Sequence, residues 1–192
     1  MRSGSTPSID CLDRRVQRTR DALRVALMHL MVEVGWDAID VQSLCQHANI
    51  GRSTFYQHYA NKEELLKANF ESLRMGLLAE ARRQTEHTGS LAFVPGLVAH
   101  VFEAQDVFRA LVGRRSGQYV QDRFRELLVQ LVRADASAKP SRTWQADAQA
   151  HYLGGALFEM LVWWLGHNRP QRPQDIAALF CQWSKPVLAM TA

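Results

Sequence analysis

At 192 residues the chain is long enough to bury a substantial core, as one large domain or two small ones. Its 47% hydrophobic content is ordinary for a globular protein, and no apolar run is long enough to span a bilayer. A net charge of +4, with a pI of about 9.2, is compatible with DNA as a partner without requiring it. The opening MRSGSTPSIDC lacks the apolar segment of a secretion signal, which predicts a soluble cytoplasmic protein. Cys11, Cys45 and Cys181 are odd in number and far apart, so neither disulfides nor a cysteine metal site is expected.

Ser, Gly and Pro in residues 1–11 predict a disordered leader. The first helix is expected over Asp13–Val34, with Val16, Leu23, Leu27, Leu30, Met31 and Val34 as its apolar stripe and Gly35 as its C-cap. Arg14, Arg15, Arg18, Arg20 and Arg24 crowd its start, as a phosphate-contacting edge or a solvated face. Trp36 and Ile39 plug the gap to a short helix capped by Asp40, on which Val41, Leu44, Cys45 and Ala48 share one apolar face. Cys45 on that face reads most simply as a small core residue. Ala48-Asn49-Ile50-Gly51 breaks the period with residues that tolerate a sharp turn. Arg52–Tyr59 then presents Arg52, Ser53, Thr54, Tyr56, Gln57 and His58 outward, while Phe55 and Tyr59, four apart, face inward. Asn61 is an N-cap, with Glu64 in the capping-box position. The helix it starts runs from Lys62 to about Glu86, ended by His87-Thr88-Gly89-Ser90.

Helical patterning continues to the end of the chain, with no convincing strand. The stretches are Leu91–Ala104 with Pro95-Gly96 near its start, Asp106–Val112 capped by Asp106, and Gln118–Ala134 after a GRRSG loop at 113–117. Ala136–Ser141 is a break before a closing pair, Thr143–Gly166 and Pro173–Leu188, joined through His167-Asn168-Arg169-Pro170. The fold class is therefore all-α, with about nine helices. The domains expected are 12–61 for the helix-turn-helix unit and 62–192 for a second helical unit. In the closing pair, Trp144, Ala148, His151, Tyr152, Gly155, Phe158, Glu159, Val162 and Trp163 recur at helical spacing beside the small Gly154 and Ala156. Ile176, Leu179, Phe180, Trp183 and Val187 line the last helix. That is more apolar surface than one buried stripe uses.

A helix carrying many hydrogen-bonding groups beside a small supporting helix is suited to reading base edges in a major groove. The segment resembles the DNA-binding domain of TetR (tetracycline-repressor-type) family regulators. The resemblance is carried by the turn Ala48-Asn49-Ile50-Gly51, by Thr54-Phe55-Tyr56, by Tyr59 and by Lys62-Glu63-Glu64-Leu65. Asn49 stands where Gly is usual and Gly51 where a capping Ser is usual; both substitutes are acceptable at such positions. The resemblance is specific over about residues 12–70 and architectural beyond.

It implies a homodimeric transcriptional regulator, by family habit a repressor, bound to a palindromic operator and released by a small-molecule ligand. It implies that Gln42 and Ser43 reach a base edge or phosphate, and that Arg52, Ser53, Thr54, Tyr56 and Gln57 carry the recognition helix. Tyr56, His58 and Lys62 are expected at phosphates, with Arg52 favouring guanine. The last two helices, about 143–188, are expected to pair with their twins in the dimer. A ligand pocket in the second domain would draw on Phe93, Phe102, Phe108, Tyr119, Phe124, Trp144 and Trp163, with His100, Arg109 and His151 as polar anchors; core packing is the competing reading for each. A helical protein-interaction module, or a regulator without a small-molecule effector, is the alternative. No cofactor is implied. Neither a nucleophile motif nor metal spacing such as HExxH is present, and His29, His47, His58, His87, His100, His151 and His167 are scattered, which speaks against an enzyme.

Overall fold

The computed structural model describes residues 9–84, 91–112, 118–135, 143–166 and 171–189. Nine α-helices and a short 3-10 turn make up these residues, and no strand occurs among them. In chain order they are α1 (Ile9–Glu33), α2 (Val41–His47), α3 (Arg52–His58), α4 (Lys62–Gln84), α5 (Val94–Glu103), α6 (Gln105–Val112), α7 (Gln118–Asp135), α8 (Trp144–Gly166) and α9 (Pro173–Ala189). Residues 1–8 of the expected leader, the GRRSG loop, the 136–141 break and the 167–170 link lie outside the described residues.

The all-α architecture agrees with the sequence reading. Some boundaries differ from it. The first helix begins at Ile9 rather than Asp13, so residues 9–11 of the expected leader are helical. α4 is described as far as Gln84, and its expected end over residues 85–90 lies outside the described residues. α5 begins at Val94 rather than Leu91. Asp106 lies inside the first turn of α6 rather than capping it, because Ala104 alone separates α5 from α6 and its carbonyl takes the Phe108 amide.

The N-terminal unit is built on the α1 stripe. Leu23, Leu27, Leu30 and Met31 are buried against Leu44 and Cys45 of α2, Phe55 of α3, and Leu65 and Leu66 of α4. Gly35, at φ 81°, ends α1 in the left-handed region that only glycine adopts without cost. Trp36 and Ile39 fill the space behind it, both nearly inaccessible.

From there α4 carries the chain into the second unit, packing against α7 and α5. α7 lies along α8, and α5 along α9. An aromatic cluster centred on Phe124, with Phe70, Phe108 and Phe158 at ring separations of 5.9, 5.5 and 6.1 Å, knits α4, α6, α7 and α8 together. The units also meet where α1 rests on α6, and where Tyr119, at the start of α7, stacks on Trp36 at 5.7 Å.

The α7–α8 approach depends on one glycine. A Cβ on Gly154 would lie 2.9 Å from the Val129 side chain and 3.1 Å from its backbone nitrogen, too close for the backbone to relieve. Gly154→Val is therefore expected to destabilise the chain by about 1–3 kcal/mol through overpacking. Gly155→Ala, whose Cβ would meet nothing within 4 Å, serves as the control. Equal denaturation midpoints for Gly154→Val and wild type would contradict the packing.

Candidate nucleic-acid interface

The reading head is assembled by local capping. Asp40 accepts the Ser43 amide at 2.7 Å, and the Ser43 hydroxyl accepts the Asp40 amide at 3.2 Å, closing a capping box at the start of α2. The Ser43 amide, then its hydroxyl, hold the Asp40 carboxyl below the usual carboxylate range. Asn49 sits at φ 51°, the left-handed turn position expected of it, and Gly51 is the N-cap of α3 in an extended conformation. Asn61 Oδ1 accepts the Glu64 amide at 2.9 Å, starting α4.

Phe55 is fully buried beneath α3, with the Tyr56 and Tyr59 rings 5.5 and 6.0 Å away. That burial fixes the rotation of the helix. Arg52, Ser53, Tyr56 and Gln57 are exposed, and Thr54 and His58 are half-buried at the edge of the same face. Gln42 is exposed at the start of α2. Gln42, Gln46, Asn49 and Arg52 line one open cleft between α2 and α3. Gln46 and Asn49 were missed by the sequence reading, although Gln46 follows Gln42 by one helical turn and so shares its face. At 1.5 Å per residue, seven-residue α3 spans about 10 Å, the depth of a few base pairs. Arg14, Arg15, Arg18, Arg20 and Arg24 are all exposed along α1.

Two expected contacts prove to be occupied by the fold itself. The Lys62 ammonium donates to the carbonyls of Trp36 and Ile39 at 2.9 and 2.8 Å and lies 4.6 Å from the Trp36 ring centroid. Its stem reaches back to the first residue of the short 3-10 turn and to the residue that ends it. Lys62 therefore ties the start of α4 to the segment between α1 and α2. The Ser43 hydroxyl also donates to the Asp40 carbonyl at 2.9 Å, so its donor is already satisfied inside the capping box.

The expected ligand residues divide between the core and the surface. Phe93, Phe108 and Phe124 are core. Phe102 is partly exposed and stacks on Trp164 at 5.5 Å, and Tyr119 is taken by Trp36. Arg109 donates to the Leu165 carbonyl at 3.1 Å. His151 lies on the surface 3.3 Å from Arg133, which also pairs with Asp147. His100 is exposed on α5, and Trp144 and Trp163 are exposed near opposite ends of α8. Periodicity marked these positions as apolar or polar but could not show which way each one points. Burial pushes the Cys45 thiol up, the inert core role expected of it.

Residues 23–68 match the sequence model described as bacterial regulatory proteins, tetR family. The chain is 47% identical over 57 residues to an HTH-type transcriptional regulator, YxbF, of Bacillus subtilis (strain 168). That stretch is 29% of this chain and 15% of YxbF, so the chain spans well under two thirds of that relative. A TetR transcriptional regulator from Streptococcus agalactiae 2603V superposes with a TM-score of 0.64 at 28% identity, covering 89% of this chain and 96% of that one. NalD, the secondary repressor of the MexAB-OprM multidrug efflux pump in Pseudomonas aeruginosa, superposes with a TM-score of 0.56 at 19% identity, covering 91% and 96%; at that identity it shares the fold alone.

Proposed function

We propose that the chain, whose residues 23–68 match the tetR-family model and whose fold matches a TetR regulator, acts as a homodimeric transcriptional repressor of that family on a palindromic operator. The observation that carries this reading is the exposed row Arg52, Ser53, Tyr56 and Gln57, held over fully buried Phe55. Arg52 reads a base edge, Gln42 and Gln46 support it across the cleft, and the α1 arginines and Tyr56 take phosphates. Reading is by binding alone, with no catalytic step.

One α3 helix reads too few base pairs for an operator, so two heads are needed. The supporting surface is an apolar stripe outside the core. Trp144, Tyr152 and Trp163 on α8 and Trp183 on α9 are 76%, 62%, 42% and 62% exposed, with Gly155 and Ala156 leaving room for close approach. Pairing of α8 and α9 with their twins would cover it. A small-molecule effector bound by the second unit would move the heads through the α1–α6 and Trp36–Tyr119 contacts, with a coupling of about 1–3 kcal/mol as is typical.

The test is a gel shift on the DNA flanking its own gene and on a random-sequence pool, at two salt concentrations. Arg52→Ala is expected to lose about 1–3 kcal/mol of discrimination at one operator position while retaining salt-sensitive binding. Sedimentation of wild type and Trp183→Glu should show a dimer weakened in the variant. A folded dimer that binds neither DNA at low salt would sink the repressor reading.

A further inference from the structure

A cluster of metal-binding side chains lies on the head, away from the reading face described above. His29 and Glu33 are one helical turn apart on α1, with His29 Nδ1 3.5 Å from Glu33 Oε2. His47, the last residue of α2, brings its ring to 4.5 Å from that of His29. One ligand atom from each of the three lies within 4.8 Å of the other two. We infer that His29, Glu33 and His47 form a site for a zinc-class divalent transition-metal ion that ties α1 to α2.

Three physical arguments support the assignment. The donor set, two imidazoles and one carboxylate, is a zinc set that leaves a fourth position for water. Tetrahedral bonds of about 2.0–2.2 Å require ligand atoms about 3.3–3.6 Å apart, so the ends must close by at most about 1.5 Å. The side chains of His29 and Glu33 are 61% and 55% exposed, which leaves them free to make that movement. In addition, α1 ends at Glu33 and α2 ends at His47, so two helix C-termini direct their negative ends toward the cluster, where a cation is favoured.

An ion pair alone explains less. Glu33 can pair with His29, but a second imidazole packed at a tilt against the first brings no further counter-charge. A bound cation satisfies all three groups at once. It also joins helices whose relative position sets the support of α3, since α2 packs on both α1 and α3.

The experiment is calorimetric titration of the untagged full chain with Zn2+ alone, in the absence of DNA, so its outcome is independent of the repressor reading. One ion per chain is expected, with affinity weakened roughly tenfold or more by His47→Ala and by Glu33→Gln. Zn2+ at about a hundredfold over its Kd should raise the wild-type Tm by several degrees and that of the Glu33→Gln variant by about half as much or less. All three residues are exposed, so the variants should fold, and circular dichroism checks this. Absence of Zn2+ uptake by wild type up to about 1 mM would overturn the site. Uptake unchanged in both folded variants would overturn it equally, by placing the ion elsewhere.

Discussion

Phe55→Ala is expected to remove about 3–5 kcal/mol from the stability of the N-terminal unit and with it all operator binding. Phe55 is fully buried, and α3 is only seven residues long. A helix that short has little stability of its own and keeps its place through tertiary packing. Phe55 is the side chain that joins it to Leu44, Cys45, Leu65 and Leu66 in the common core. Truncation leaves a cavity beneath the recognition face, so Arg52 and Gln57 lose their fixed orientation even where the rest of the chain stays folded. Two measurements check this. A urea titration should show an earlier transition, and α7–α9 should retain their helicity in conditions where gel-shift activity is gone. A loss below about 1 kcal/mol with binding intact would mean that α3 is held by something other than Phe55.

The second large effect is at Lys62, and here stability and DNA binding should separate. Lys62→Met keeps the apolar stem but removes the ammonium from the Trp36 and Ile39 carbonyls and from the Trp36 ring. Hydrogen bonds to a charged group contribute about 1.5–3 kcal/mol each, and stem packing is retained, so a net loss of about 2–3 kcal/mol is expected. Trp36 is also the ring on which Tyr119 stacks, and Arg123 lies 5.6 Å from the Tyr119 ring. Loosening Trp36 therefore loosens one of the contacts between the two units. DNA affinity of the folded fraction should keep its salt dependence. A residue bound to phosphate would instead lower the slope of log K against log salt by about one contact. A shallower slope with unchanged stability would return Lys62 to the phosphate backbone.

The two substitutions show how unevenly the site was legible. Phe55 and Tyr59 announce their direction by a four-residue spacing, and the structure places both inward. Asp40, Asn49, Gly51 and Asn61 act where their backbone and side-chain chemistry says they act, because capping and left-handed turns are local requirements satisfied within a few residues. Lys62 had an equally clear local reading, a cation in the first turn of a helix, but that reading did not include the bonds it makes within the fold. Its partners are carbonyls 26 and 23 residues earlier, and no local pattern reports them.

The same limit explains the second unit. The aromatic residues were recognisable as apolar, yet Phe124 became the centre of a four-helix cluster while Trp144 and Trp183 stayed largely exposed. Gly154 and Gly155 are adjacent and alike in sequence, but only Gly154 faces the Val129 backbone. Successive helical positions differ by about 100° in direction, so which of two neighbours faces a partner depends on where that partner lies.

By itself, then, the sequence determined the all-helical class, the caps and turn that build the reading head, and the outward row on α3, since these follow from periodicity and short-range hydrogen bonding. Tertiary structure alone decided that Lys62 bonds the Trp36 and Ile39 carbonyls, that Phe124 centres an aromatic cluster while Trp144 stays exposed, and that His47 meets His29 and Glu33. Each of these is a meeting of side chains distant in sequence. Such meetings depend on the angle and depth at which whole helices pack, which the residues specify only jointly, through the core they share.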